Sequence, residues 1–200
     1  HGYLQGKSEK TLKTCLTSRY LRDRYILTDK LTENFFKTEA DIRPVFESQL
    51  EACGVDYFDF YLMHSQCSEN YGHFKACRAY ETAFALKEEG KVRHVGISFH
   101  GRPELLEQIL TEYPAIEVVQ IQLNYVDWRH AKEVNTRNTD AEYLYGELSR
   151  AAFRPSSWNR CWADACRTYT TTSPPNSASA APSRASLRGP SASRDRFPAC

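Results

Sequence analysis

The sequence predicts an α/β fold built on a parallel sheet, and three observations predict it. Strand-like runs alternate with helix-length amphipathic segments through residues 1–154, the pattern of successive βαβ units. The run Asp56-Tyr57-Phe58-Asp59-Phe60-Tyr61-Leu62-Met63-His64 is apolar and aromatic enough to be covered on both faces, as strands of parallel sheets are. It stops on a histidine, and the pattern recurs at Lys91-Val92-Arg93-His94-Val95-Gly96-Ile97-Ser98-Phe99-His100. Polar groups at the C-terminal ends of successive parallel strands are how an α/β barrel assembles a site.

The elements follow in order. Lys7–Arg19 reads as a helix, and Arg24–Thr28 as a strand closed by Asp29 and Lys30. Glu39–Cys53 has helical periodicity through Ile42, Val45, Phe46 and Leu50, with Gly54 placed to end it in a left-handed turn. After the strand to His64, Phe74–Glu89 reads as a helix through Ala76, Tyr80, Ala83, Phe84 and Leu86, stopped at Gly90. The strand to Ser98 precedes a helix over Pro103–Glu112, whose proline suits a first-turn position that needs no N–H. Glu117–Leu123 is a further strand and Asp140–Arg150 a last amphipathic helix.

Composition narrows the function classes. A formal net charge of +1 and a pI of about 7.7 imply no nucleic-acid partner. No apolar run is long enough to span a bilayer, and no signal peptide is visible. The chain starts at His1 rather than Met, which predicts a fragment or processed piece. None of the 7 cysteines forms a C-x-x-C pair, so no metal site is expected from spacing, and scattered thiols fit a reducing cytoplasm.

Residues 155–200 contain no Lys, Glu, Val or Ile and are dominated by Ser, Ala, Pro, Arg and Thr. Such a segment buries too little apolar surface to offset its ordering entropy, so a disordered tail is expected. Codon arithmetic sharpens this. In a shifted frame, Ser156 and Ser157 as TCN codons supply codons for Val, Ile, Leu or Phe. Trp158 followed by Asn159 gives Glu, Cys161 followed by Trp162 gives Leu, and Trp162 followed by Ala163 gives Gly. One allowed reading is V-I-V-E-P-V-L-G-G-R-L, a buried strand and a glycine turn. The tail is therefore expected to be out-of-frame translation, which sequencing the DNA around codon 155 tests.

Residues 1–154 resemble the aldo/keto reductase family, in particular the branch whose longer members carry a ferredoxin-like iron–sulfur module. The resemblance rests on Tyr-Leu-Gln-Gly-Lys-Ser-Glu (Tyr3 to Glu9), the strand ending at Lys30, the strand ending at His64, the run from Gly90 to His100, and Val-Val-Gln-Ile-Gln-Leu-Asn-Tyr (Val118 to Tyr125). The shifted-frame strand resembles the next barrel strand of that branch.

The resemblance implies a partial (β/α)8 TIM barrel, with about strands 2–6 present, that moves hydride between NADP(H) and a small-molecule carbonyl, an aldehyde or ketone. It makes Tyr3 the general acid, Lys30 its charged neighbour and His64 the group that orients the carbonyl. Ser98 and Gln120 would hold the nicotinamide carboxamide. A free phenol ionises near 10, and a nearby ammonium would favour its phenolate. The family aspartate that pairs with the lysine, and the first barrel strand, would precede His1. Asp29 should point away from the Lys30 side and so does not replace that aspartate. The resemblance leaves a [4Fe-4S] cluster open for an intact parent only. By spacing alone, Lys30 reads equally as a solvated strand end, His64 as a structural histidine, Ser98 as a turn cap and Gln120 as a satisfied strand residue. His94 and His100 read as structural or loop groups, and Cys67 and Cys77 as ordinary thiols. Two rival functions remain: a non-catalytic nicotinamide-binding or regulatory barrel, and a defective truncated product.

Overall fold

The structure, a computed structural model, describes residues 3–121 and 141–152. The expected tail over 155–200, the shifted-frame strand and the end of the strand beyond Ile121 lie outside the described residues.

Among the described residues the framework is a parallel sheet of 4 strands in the order β1-β2-β3-β4, formed by β1 (Thr28–Leu31), β2 (Phe58–Gln66), β3 (Val92–Phe99) and β4 (Val118–Ile121). Consecutive neighbours, all parallel and each joined through helix, form a sector of a (β/α)8 barrel. The helices are α1 (Lys7–Leu12), α2 (Glu39–Cys53), α3 (Tyr71–Ala76), α4 (Ala79–Glu88), α5 (Pro103–Glu112) and α6 (Ala141–Ala152).

Strand alternation sorts the side chains into two layers. Asp29, Tyr61 and Val95 align in register, as do Leu31, Met63, Ile97 and Val119. This face packs under α2, where Phe46 meets the rings of Phe58 and Tyr61 edge-on. Leu31, Phe46, Phe58, Tyr61, Met63 and Ile97 are all buried here. The opposite face, the barrel interior, carries Lys30, Leu62, Gly96 and Val118 in one register row. Gly96 is required in that row: a Cβ there would stand 2.4 Å from the Val118 carbonyl oxygen and 2.8 Å from Leu62 Cδ2.

Helices α2 and α5 begin and end as expected, and Gly54 closes α2 at φ 66°. Four expectations move. The strand expected at Arg24–Thr28 lies at Thr28–Leu31, because Arg22–Arg24 form a 3-10 turn and the Arg22 guanidinium ties the Tyr25 carbonyl at 3.0 Å. β2 continues past His64 to Gln66, through an irregularity between Met63 and Gln66 in which Ser65 adopts φ 57°. The single helix expected over Phe74–Glu89 is two, α3 and α4, because Arg78 at φ 52° breaks the backbone between them. The helix expected over Lys7–Arg19 is α1 continued by a wider π turn over Lys13–Thr17.

Candidate active site at the strand C-termini

The backbone at two of the candidates, Lys30 and His64, is held by polar relays that run to helices. The Lys30 carbonyl accepts the Gln49 side-chain amide at 2.9 Å, and Gln49 in turn accepts the Tyr61 hydroxyl at 2.7 Å. A buried polar relay from α2 thus fixes the β1 backbone at the lysine. The Lys30 side chain points the other way, into a small cavity of about 120 Å³ that it shares with Thr28, Phe60, Leu62, Val118 and Gln120. His64 is fixed similarly. Its carbonyl accepts the Gln66 amide at 3.2 Å, and Gln66 accepts the buried Tyr80 hydroxyl at 2.6 Å. Asn70 donates to the Ser65 carbonyl and accepts from the Cys67 N–H, each at 3.0 Å, which holds the left-handed Ser65 next to His64.

Above the Lys30 row, Ser98 pairs with Gln120 across β3 and β4. Met63 pairs with Ile97, so one residue further along His64 and Ser98 follow on the interior face. The Gln120 carboxamide oxygen is buried and has no hydrogen-bond partner among the described residues. It is therefore not the satisfied strand polar group that spacing allowed. Ser98 is buried on β3 and does not cap α5, whose N-cap is Arg102. The backbone of Tyr3 opens a 3-10 turn, Tyr3–Gly6, leading into α1. The Tyr3 side chain lies outside the described residues.

The strand ends open into a cleft of about 550 Å³, lined among others by Thr32, His64, Ser65, Asn70, His100 and Arg102. His100 lies in its wall, with its N–H on the Gln66 carbonyl at 2.9 Å. His94 lies elsewhere, stacked on Phe60 and 3.3 Å from the Glu117 carboxylate. Sequence reasoning missed Thr32, whose hydroxyl stands 2.7 Å from His64 Nδ1. The available signal was its position two residues beyond Lys30, on the same strand face.

Electrostatics give the groups distinct states. Burial, aided by the Lys30 and His100 charges, pushes the His64 imidazole down to about 4, so it is neutral near pH 7. Burial also lowers the Lys30 ammonium, and the Asp29 charge opposes that. Asp29 itself faces the helix layer, as alternation required. Its carboxylate accepts the Lys30 N–H at 2.7 Å, lies 4.0 Å from Cys53 Sγ and is hydrogen-bonded to the buried Glu9 side chain. Burial raises it to about 7.

That shift has a sign. Between the free aspartate value near 4 and about 7, the native state binds the proton more tightly than the unfolded chain. Stability therefore falls as pH rises through this window. Asp29→Asn removes the charge and keeps the shape. It is expected to raise stability by about 2 kcal/mol at pH 8, with the gain shrinking toward pH 4. Thermal melts of both proteins at pH 5 and pH 8 check this, and a gain equal at both values contradicts it.

Among the described cysteines, Cys53, Cys67 and Cys77 are free thiols. Burial raises Cys67, and the Cys77 thiol, also raised by burial, donates to the Lys37 carbonyl. Among the described residues no group of His, Cys, Asp or Glu is placed to hold a metal, and no helix is long and apolar enough to cross a membrane.

Comparison with known proteins agrees with the barrel-sector fold. The aldo/keto reductase family pattern matches residues 2–139. An aldo-keto reductase of Mycobacterium sp. (strain JLS) is 29% identical over 120 residues, covering 60% of this chain and 42% of the relative. A second, from Mycobacterium sp. (strain KMS), is 28% identical over the same length. The chain thus spans less than half the length of the curated relatives it matches. Among solved structures, an aldo-keto reductase from Klebsiella pneumoniae in complex with NADPH superposes with a TM-score of 0.54 at 22% identity, over 73% of this chain and 46% of that one. Another from the same organism, in complex with NADP and acetate, gives 0.51 at 17% identity, over 76% and 58%. These two likenesses concern the fold. With the pattern matched over most of its length, the chain belongs to the aldo/keto reductase family.

Proposed function

We propose that the chain is the site-bearing sector of an NADP(H)-dependent reductase of aldehydes or ketones, with Tyr3, Lys30 and His64 acting on the carbonyl and Ser98 and Gln120 holding the nicotinamide. The observation that carries this reading is the buried Gln120 oxygen, unpartnered among the described residues, in the small interior cavity that it shares with Lys30, opposite Ser98 in the sheet register; a neutral His64 lines the separate cleft at the strand ends.

The residues fit the cofactor. A buried acceptor without a donor costs free energy unless something completes it, and a carboxamide N–H would do so. Bound there, NADPH would supply a hydride to the carbonyl carbon. His64, neutral, donates a hydrogen bond toward the carbonyl oxygen, where negative charge develops. Tyr3 gives its hydroxyl proton to that oxygen, and the Lys30 charge makes the phenol a better proton donor near neutral pH. Free thiols at Cys53, Cys67 and Cys77 suit a reducing cytoplasm.

The test is titration of the full chain with NADPH, read by nicotinamide fluorescence, followed by NADPH oxidation over a panel of aldehydes and ketones. Binding with turnover that Tyr3→Phe removes is the expected result. Binding without turnover favours the non-catalytic nicotinamide-binding reading, and absence of binding by a folded chain overturns the proposal.

A further inference from the structure

We infer that Thr32 is a positioning residue for His64: its hydroxyl donates to Nδ1 and thereby keeps the imidazole proton on Nε2. The inference rests on the proposed role of His64 as a hydrogen-bond donor, yet it concerns a contact that exists without cofactor or substrate.

A neutral imidazole has one N–H and one bare nitrogen, and the partner of one nitrogen decides the state of the other. For Nε2 to donate toward a carbonyl oxygen, Nδ1 must be bare and accept a hydrogen bond. Thr32 Oγ1 is 2.7 Å from Nδ1. That separation suits a hydrogen bond in either direction. The direction Oγ1–H to Nδ1 is the one that leaves the proton on Nε2, as the proposed donor role of His64 requires.

The surroundings support the same state. The ring is half-buried, and the Lys30 and His100 charges disfavour a doubly protonated imidazolium. A singly protonated ring is what makes the choice of nitrogen matter. Both ends of the Thr32–His64 contact are anchored. Thr32 leaves β1 in extended conformation at φ −102°, and its carbonyl accepts the Phe35 N–H at 3.1 Å. His64 is held through Gln66 and the Asn70-clamped loop. The contact thus joins two strand ends 32 residues apart in sequence, and it sits at the rim of the cleft that both residues line.

The experiment is long-range 1H–15N correlation spectroscopy on the full chain carrying 15N-histidine, with the His64 signals assigned by their loss in His64→Asn. Wild type is expected to show a protonated Nε2 and a bare Nδ1 displaced from the free position by an accepted hydrogen bond. Thr32→Val should abolish that displacement or let the two nitrogens average, and Thr32→Ser should restore the wild-type pattern. A wild-type Nδ1 that carries the proton overturns the inference, as do valine-variant signals identical to wild type in a folded protein. Should Thr32→Val unfold, the wild-type and serine spectra still decide the tautomer. Because the reading needs no turnover, the Thr32 role can fail while the reductase reading stands, and the reverse.

Discussion

Lys30→Met is expected to leave the chain folded, to raise the protonation midpoint of His64 above about 4, and, on the proposed function, to cut carbonyl reduction by at least about a hundredfold. Methionine matches the length of the lysine stem and tolerates the mixed surroundings of Thr28, Phe60, Leu62, Val118 and Gln120. What it removes is a positive charge in a half-buried site, where screening by water is weak. The Lys30 charge is one of the causes that hold the His64 imidazole down; burial is the larger. The midpoint should therefore rise without reaching the free histidine value near 6.5.

The stability consequence has a defined direction. Between about 4 and 6.5 the unfolded chain binds a proton at His64 and the native chain does not. Wild-type stability accordingly falls as pH is lowered through that window, and the lysine variant should lose less of it. NMR titration of His64 reads the midpoint, and urea unfolding at pH 5 and pH 7 reads the stability. An unmoved midpoint would mean that the Lys30 charge does not reach the histidine. Undiminished carbonyl reduction would take Lys30 out of the chemistry.

Asp59→Ala should damage the fold itself, costing about 3–5 kcal/mol. Asp59 lies at the opposite end of the sheet from the cleft and is almost wholly buried. One carboxylate oxygen accepts Arg22 Nη2 at 2.6 Å and the Leu27 N–H at 2.8 Å, and the other accepts Arg93 Nη1 at 2.9 Å. It thereby ties the approach to β1, the start of β2 and the start of β3 with one group. Both guanidinium groups also stack on Tyr57, at 3.9 and 4.3 Å from its ring centre.

Removing the carboxylate strands a largely buried Arg22 charge, whose Nε already lacks a partner among the described residues, together with a buried backbone donor. For a domain stabilised by about 5–15 kcal/mol the loss is a large fraction. The urea midpoint should drop sharply, and Asp59→Asn, which keeps an acceptor for Leu27, should drop it less. Equal midpoints for the alanine variant and wild type would show that the cluster contributes nothing net. Since the carboxylate is buried, added salt should change the difference little.

The elements that could be read from the sequence were those whose signal is local. The α2 boundaries follow from apolar spacing and a terminal glycine, and those of α5 from a first-turn proline. Strand identity at β2 and β3 follows from continuous apolar runs. The break at Arg78 was not legible, because arginine carries no left-handed signal and the tertiary packing imposes φ 52° there. The β1 shift was also invisible, because the ladder starts where Leu27 and Thr28 meet β2 rather than where the apolar run starts.

The same division holds at the site. Lys30, His64, Ser98 and Gln120 were each nameable from motifs at strand ends, and so was the turning of Asp29 away from the Lys30 side, since alternation along a strand is a property of the chain alone. Which of them meet was settled by register, a relation between strands. Register brought Ser98 beside Gln120, set Gly96 against the Val118 carbonyl and left the Gln120 oxygen buried without a partner among the described residues. It also brought Thr32, just past the end of β1, to His64 near the end of β2; the position of Thr32 could be read from alternation, the contact could not. By itself the sequence determined the chemistry on offer and the strand end that offers it. The tertiary structure decided the pairings and the charge states, because distance and burial exist only once the strands lie side by side.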